Sequence, residues 1–148
     1  GDWLWGGDAD AIVATITKGR SAVMPALGGA LGADGVAATA AFVQSLAGVA
    51  ADPGLVRAGE IHFKTLCVAC HGPDGKGNPL LGAPNLTDGT WLYGGDFASI
   101  SASIANGRNG QMPAQEQIIG VDRARLAAAW VYSLRDAGQA AGGAGAGR

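Results

Sequence analysis

Two cysteines and a histidine lie within the segment Cys67-Val68-Ala69-Cys70-His71. Their spacing is typical of covalent haem attachment, in which the histidine becomes a ligand of the iron. On one turn of helix both thiols can reach the same porphyrin edge, and the adjacent imidazole projects beneath the ring. The whole chain has only two cysteines and two histidines, which makes this cluster a strong signal. We therefore predict that Cys67 and Cys70 bind a haem and that His71 ligates its iron.

A redox disulfide and a zinc site are two other possible uses of this segment. A redox disulfide more naturally follows a strand in a βαβ pattern, and the sequence shows no such pattern. A zinc site needs a fourth ligand, and the segment offers three. Both alternatives are weaker than the haem interpretation.

The chain also contains an internal repeat. Shifted by 88 residues, the segment WLWGGD at 3–8 aligns with WLYGGD at 91–96, and MPA at 24–26 aligns with MPA at 112–114. The register holds without a gap, giving 20 identities over the 45 positions from Trp3 to Ala47. The counterpart of Cys67 falls before the first residue. The sequence is therefore expected to hold one and a half repeats.

The repeat sets the expected domain organisation. Residues 1–50 correspond to the C-terminal half of one domain whose cysteines lie outside this sequence, and residues 51–137 form a complete domain. Residues 138–148 are almost all small and have little to bury, so we expect a disordered tail.

Composition excludes several classes of function. With 10 basic and 12 acidic residues in 148, no basic patch indicates nucleic-acid binding. No apolar run has the length of a membrane span. No paired carboxylates, nucleophile–histidine pair or phosphate loop points to another enzyme class. We expect a protein that is not an enzyme by itself.

The secondary structure reads as helices joined by glycine-rich loops. Asp52 and Pro53 are typical of a helix start, and that helix is expected to run from about residue 54 to Cys70. Residues 72–88 are rich in glycine, proline and asparagine and are expected to form a loop. No segment shows convincing two-residue alternation, so essentially no sheet is predicted.

The later helices carry their own start signals. Further helix starts are predicted at Asp8, Asp34, Asp96 and Asp122. The helix after Asp96 is expected to end near Gly107. In the last helix, Leu126, Trp130 and Leu134 form an i, i+4 stripe, and we interpret Trp130 as core.

Residues 52–136 resemble a class I c-type cytochrome domain, with CxxCH on the first helix, a later Met-Pro and a closing amphipathic helix. The resemblance implies an all-α class I cytochrome c fold and makes Met112 the sixth iron ligand. A thioether opposite histidine favours ferrous iron and fills the last axial position, which suits electron transfer. The alternative for Met112 is a flexible core residue. The rival ligand His62 lies on the attachment helix and is interpreted as a surface or half-buried histidine.

The same resemblance assigns a haem environment. Pro84 matches the proline whose carbonyl accepts the proton on the free nitrogen of the proximal histidine. Trp91, Tyr93 and Arg108 are candidates for contacting or neutralising the haem propionates. Their alternatives are core packing for the aromatic residues and a solvated surface for the arginine.

A closer resemblance links residues 2–136 to the dihaem subunit III of cbb-type cytochrome c oxidases. It is carried by the tandem Trp-Leu-x-Gly-Gly segments and by PNLTD at 84–88 and GRNGQMPA at 107–114. It implies relay of electrons from a donor cytochrome to a terminal oxidase's catalytic subunit, on the periplasmic side of the membrane. The anchor helix and the first CxxCH of that family are absent from this sequence.

Several alternatives stay open at this stage. The half repeat has three possible explanations. It is part of a longer dihaem protein, or a partner chain completes it through domain exchange, or it has lost its haem and packs onto the second domain as a scaffold. In the first two cases Met24 ligates a second haem that is not attached to this sequence. The alternative functions are a freestanding periplasmic dihaem shuttle, the cytochrome domain of a dehydrogenase, and a haem sensor or peroxidase.

Overall fold

The computed structural model of the chain describes residues 3–142. Its elements are α1 (Ala9–Lys18), β1 (Arg20–Met24), α2 (Gly28–Leu46), α3 (Pro53–His62), a π-helical turn (Phe63–Cys67), α4 (Val68–His71), α5 (Phe97–Asn106), β2 (Arg108–Met112), α6 (Glu116–Ile119) and α7 (Val121–Gly142). The mostly helical architecture predicted from the sequence is confirmed.

The expectation of essentially no sheet is wrong, because the chain contains two short strands. The strands β1 and β2 pair in a two-stranded sheet. Each strand is only five residues long, and β2 reads Arg-Asn-Gly-Gln-Met. Such strands depend on backbone pairing rather than on an alternating apolar face, so the search for two-residue periodicity missed them.

Most of the predicted helix starts are confirmed. The carboxylate of Asp52 accepts hydrogen bonds from the amides of Gly54 and Leu55, at 2.8 and 2.9 Å, and Pro53 occupies the first turn. Asp8 and Asp96 cap α1 and α5 in the same way. These side chains satisfy amides that would otherwise lack a partner at a helix N-terminus.

The start predicted at Asp34 lies two residues after a break in α2. The helix begins at Gly28, and non-helical backbone at Gly32, where φ is 66°, separates a second helical segment that contains Asp34. The last helix starts at Val121, one residue before Asp122, and continues to Gly142. It therefore includes the first residues of the expected tail, and residues 143–148 lie outside the described part of the chain.

The repeat predicted from the sequence is visible in the backbone. The bounds of α1 and β1 recur 88 residues later in α5 and β2. The interrupted helix α2 corresponds to α6 and α7 together, and Gly120, with φ 82°, separates that pair as Gly32 interrupts α2. Both copies of the shared half thus have the same local structure.

The chain divides into two compact units whose limits differ from the expected boundaries at 50 and 137. The first, which we call the continuous unit, is Ala22–Asn109. The second, which we call the split unit, consists in the described chain of residues 3–21 and 110–142. The CxxCH segment therefore shares a unit with α2, from the first copy of the repeat, and not with α7.

The core of the continuous unit gathers apolar side chains of α2, α5 and the segment that leads to Cys67. Its buried members are Val36, Ala40, Val43, Phe63, Cys67, Leu86, Ile100 and Ile104. Helix α3 approaches α2 closely at Gly59, where a Cβ atom would collide with the carbonyl of Ala38. Beside this crossing the rings of Phe42 and Phe63 lie 5.1 Å apart.

The core of the split unit is smaller. It consists of Ile12 and Ile16 on α1 with Ala124 and Ala128 on α7. The interpretation of Trp130 as core is wrong, because its side chain is 65% exposed. Phe42, its counterpart in the repeat, packs against Phe63, whereas the described part of the split unit has no element equivalent to α3.

No helix within residues 3–142 combines the length and the apolar character that crossing a membrane requires.

Candidate haem site

The CxxCH segment lies at the end of a helical run that changes its winding just before the cysteines. The run passes from α3 through the π-helical turn to α4 without leaving helical geometry, and the amide of Val68 bonds to the carbonyl of Phe63. A π turn adds one residue to a turn, which rotates everything after it by roughly 100° relative to a regular α-helix. The sequence predicted one regular helix and missed this turn, for which it carries no signal.

The two cysteines differ in environment. Cys67 is buried and Cys70 is exposed, and both are free thiols. Burial, with a smaller contribution from the neighbouring Cys70, raises the pKa of Cys67 to about 11. Cys67 thus lies within the core of the continuous unit, whereas Cys70 is open to solvent.

His71 is held in the form that binds iron. Its side chain is 8% exposed, and burial lowers its pKa, while the carbonyl of Pro84 acts in the opposite direction. That carbonyl lies 3.1 Å from Nδ1. Because a carbonyl can only accept, the contact places the proton on Nδ1 and leaves the lone pair of Nε2 free. The structure thus forms the contact that the resemblance implied for Pro84.

The loop between His71 and Pro84 is fixed by its own backbone. The amide of Gly77 donates to the carbonyl of His71 at 2.8 Å. Asn78 and Ala83 exchange two backbone hydrogen bonds, at 2.9 and 3.1 Å. These bonds fix the direction of the Pro84 carbonyl, and with it the plane of the imidazole.

Two of the three residues proposed for the propionates, Arg108 and Tyr93, are in contact. The guanidinium of Arg108 lies 4.4 Å from the centre of the Tyr93 ring. Its Nε and Nη2 donate to the hydroxyl of Ser103, at 3.0 and 2.8 Å. Trp91 is partly buried against the core of the continuous unit. The structure therefore brings the three residues into the unit that carries the CxxCH segment, and their contact with propionates stays a prediction.

The two methionines lie in different units. Met24 is partly buried and packs against the core that contains Cys67. Met112 is 37% exposed and belongs to the split unit. His62 is half-buried, which agrees with the surface or half-buried placement expected from the sequence.

The donor set and the surroundings fit a haem c. Two thiols three residues apart, a buried imidazole with a free Nε2 and a partly buried thioether occur in one unit. The same unit leaves large apolar side chains in water, such as Leu80 at 92% and Leu92 at 86% exposure. A large apolar group bound beside them would remove this unfavourable exposure.

Comparison with known proteins decides the family. A family model described as cytochrome c oxidase, cbb3-type, subunit III matches residues 54–131. The chain belongs to this family. As the family is one of cytochrome c domains, membership implies haem c and gives the helical fold its family name, the class I cytochrome c fold.

Curated relatives of this cbb3-type family agree. The chain is 43% identical over 144 residues to the cbb3-type cytochrome c oxidase subunit FixP of Bradyrhizobium diazoefficiens, covering 90% of this chain and 50% of that one. It is 37% identical over 144 residues to the subunit CcoP of Cereibacter sphaeroides, with the same coverage. The chain thus spans about half the length of the curated relatives it matches. Both relatives are subunits of cbb3-type cytochrome c oxidases.

Proposed function

We propose that this chain carries one covalently bound haem c, held by thioether bonds to Cys67 and Cys70 and ligated by His71, and relays electrons to a terminal oxidase. The observation that carries the proposal is the contact between Nδ1 of His71 and the carbonyl of Pro84, next to two free thiols. It prepares the imidazole for a metal on its other nitrogen.

When bound, the haem supplies a one-electron ferric–ferrous couple. The chain's own residues tune that couple. Pro84 keeps the proton on Nδ1 of His71, which increases the basicity of the ligating nitrogen. The apolar core around Cys67 would exclude water from a haem bound there, and a thioether ligand would raise its potential. The resemblance assigns this thioether to Met112.

The partners are redox proteins. We place a donor cytochrome on one side of the relay and the catalytic subunit of a cbb3-type oxidase on the other, because the named relatives are subunits of such oxidases. The haem-bearing unit would face the periplasm, where thioether bonds of this family are made. A second haem, held by a segment beyond this sequence, would make the native protein a dihaem relay.

The test is to express the full chain with a cytochrome c maturation system and measure its intact mass and its haem absorption under denaturing conditions. We expect one haem that stays attached when the protein is unfolded. Cys67→Ala together with Cys70→Ala abolishes the covalent haem, whereas His62→Ala leaves it. A chain that takes up no covalent haem, or keeps it in the double cysteine variant, contradicts the proposal.

A binding test separates electron transfer from the sensor and peroxidase alternatives. With both axial positions filled, the ferrous haem does not bind carbon monoxide readily at neutral pH. Rapid binding would show an open sixth position and favour a sensor or peroxidase. Electron transfer from a reduced donor cytochrome to purified cbb3-type oxidase, stimulated by the haem-loaded chain, would support the relay directly.

A further inference from the structure

Gly77 lies directly against the carbonyl group that contacts the imidazole of His71. Its backbone is left-handed, with φ 85°. A Cβ atom at Gly77 would stand 2.7 Å from the carbonyl oxygen of Pro84 and 2.6 Å from its carbonyl carbon. Because a side chain cannot approach backbone atoms this closely, only glycine leaves the Pro84 carbonyl in its observed place.

The amide of Gly77 contacts the other partner of the same hydrogen bond. It donates to the carbonyl of His71 at 2.8 Å, while the Pro84 carbonyl lies 3.1 Å from Nδ1 of that histidine. One residue thus touches both sides, because its N–H group binds the backbone of His71 and its bare Cα faces the carbonyl of Pro84. The distance between the imidazole and its acceptor is therefore set across Gly77.

Two neighbouring glycines of the loop have the same backbone conformation but different surroundings. Gly72 and Gly75 have φ 77° and 73°. The atom nearest to a Cβ at Gly72 belongs to the side chain of Asp74, at 3.3 Å, and the atom nearest to one at Gly75 belongs to the side chain of Leu46, at 2.9 Å. The ends of these side chains can move aside, whereas the carbonyl beside Gly77 is part of the backbone.

The backbone on both sides of Pro84 is anchored. The carbonyl of Ala83 accepts from the amide of Asn78 at 2.9 Å, and the amide of Leu86 donates to the carbonyl of Gly75 at 2.7 Å. The loop therefore cannot move away from an added side chain as a whole. A methyl group at position 77 has to turn the Pro84 carbonyl itself, which lengthens its hydrogen bond to the imidazole.

From these contacts we infer that Gly77 is a positioning residue for the proximal ligand. By leaving room for the Pro84 carbonyl, it sets the length of the hydrogen bond to His71 and, through that bond, the reduction potential of the haem. This role of Gly77 rests on the proposed haem attachment. A strong bond from Nδ1 to its acceptor makes the imidazole more basic, which stabilises ferric iron. Displacing the carbonyl should therefore raise the reduction potential.

Gly77→Ala in the haem-loaded full chain tests this role, with Gly48→Ala as the matched control. Gly48 lies in the same unit and has φ 77°, but a Cβ atom there meets nothing within 4 Å. Both variants introduce left-handed strain, and only Gly77→Ala displaces the Pro84 carbonyl. Redox titration should give a higher reduction potential for Gly77→Ala alone. NMR of the ferrous protein should show the Nδ1 proton of His71 shifted upfield in that variant, because its hydrogen bond is weaker.

A second pair of variants, Gly77→Asn and Gly48→Asn, covers the case in which Gly77→Ala does not fold. Asparagine adopts positive φ more readily than alanine, and its Cβ occupies the same place. A Gly77 variant that retains the potential and the Nδ1 resonance of its Gly48 control overturns the inference, whatever its stability. Such a result leaves the haem attachment intact.

Amide exchange of the wild-type haem-loaded chain decides if neither Gly77 variant matures. The Gly77 amide should be strongly protected, because it donates to the carbonyl of His71. Exchange as fast as in an unstructured peptide overturns the inference, and slow exchange supports it. A wild-type chain that takes up no covalent haem refutes the proposed function instead, so the haem content of the wild type separates the two failures.

Discussion

The backbone amide of Leu27 donates to the carbonyl of Ile104, at 2.9 Å, although the two residues belong to different copies of the repeat. This bond ties the segment after Met24 to α5, within the unit that carries Cys67 and His71. The surroundings of Cys67 and His71 thus depend on a pairing of distant segments. Local sequence is equally compatible with the other pairing, since both copies present the same Met-Pro-Ala segment.

The crossing of α3 and α2 predicts opposite effects for two helical glycines. Gly59→Ala places a methyl group against the backbone of Ala38, and this overpacking should lower the free energy of unfolding by about 1–3 kcal/mol. Gly29→Ala in α2 meets no atom within 4 Å and should be neutral or stabilise by up to about 1 kcal/mol. Urea denaturation of the haem-loaded variants measures both changes in the free energy of unfolding. Equal effects would show that the close approach at Gly59 is not formed.

The two large aromatic residues Phe63 and Trp130 should differ strongly in their contribution to stability. Phe63 is 1% exposed and belongs to the core of the continuous unit, so Phe63→Ala should lower the free energy of unfolding by about 3–5 kcal/mol. Trp130 is 65% exposed, so Trp130→Ala should change stability by no more than about 0.5 kcal/mol. Chemical denaturation followed by circular dichroism measures the free energy of unfolding of both variants. A large loss in Trp130→Ala would mean that α7 packs through this side chain in the isolated chain.

The cap of α5 predicts a pH effect. Hydrogen bonds from the hydroxyl and amide of Ser99 lower the pKa of Asp96 below its ordinary value of 3.8. Because the folded pKa is the lower one, the cap's contribution to stability is complete above about 3.8. It is lost as the pH falls through the folded pKa.

Ser99→Ala tests this cap, because it removes the hydroxyl, the largest cause, and should move the pKa of Asp96 upward. An NMR titration of the Asp96 carboxyl carbon in both proteins measures the change. The same pKa in the two proteins would rule out the hydroxyl as its cause.

The two equivalent arginines offer a matched test of the haem environment. Arg108 lies over Tyr93 in the continuous unit, and Arg20 lies over Trp5, at 4.8 Å, in the split unit. Removing a positive charge beside a haem propionate favours the ferric state, so Arg108→Leu should lower the reduction potential by roughly tens of millivolts. Arg20→Leu should leave it unchanged. Redox titration of the two haem-loaded variants measures their reduction potentials. Equal shifts in potential would contradict a specific role for Arg108.

Much of the candidate site could be predicted from the sequence because its signals are local. The spacing of Cys67, Cys70 and His71 already predicts haem attachment, and Asp52 with Pro53 already marks the start of the helix that carries them. Pro84 was placed by family resemblance, and the structure puts its carbonyl against His71. These features depend on residues that are near one another along the chain.

Other features could not be read from local pattern. The π-helical turn Phe63–Cys67 has no sequence signature. The short strands β1 and β2 have no apolar alternation and exist because their backbones pair. Trp130 lies on an apolar stripe, yet its burial requires a neighbouring helix that the described part of the split unit does not contain.

The sequence by itself predicted the attachment chemistry, and it determined the helix starts and the repeat, because each is encoded within a few residues or in a direct alignment of the chain with itself. Only the tertiary structure decided which copy's C-terminal half completes the CxxCH unit. The two halves share their Met-Pro-Ala segments and core positions, so sequence cannot distinguish them locally. Side-chain size at the crossing with α3 favours α2, which offers Ala38 to Gly59, over α7, whose equivalent residue in the repeat is Leu126.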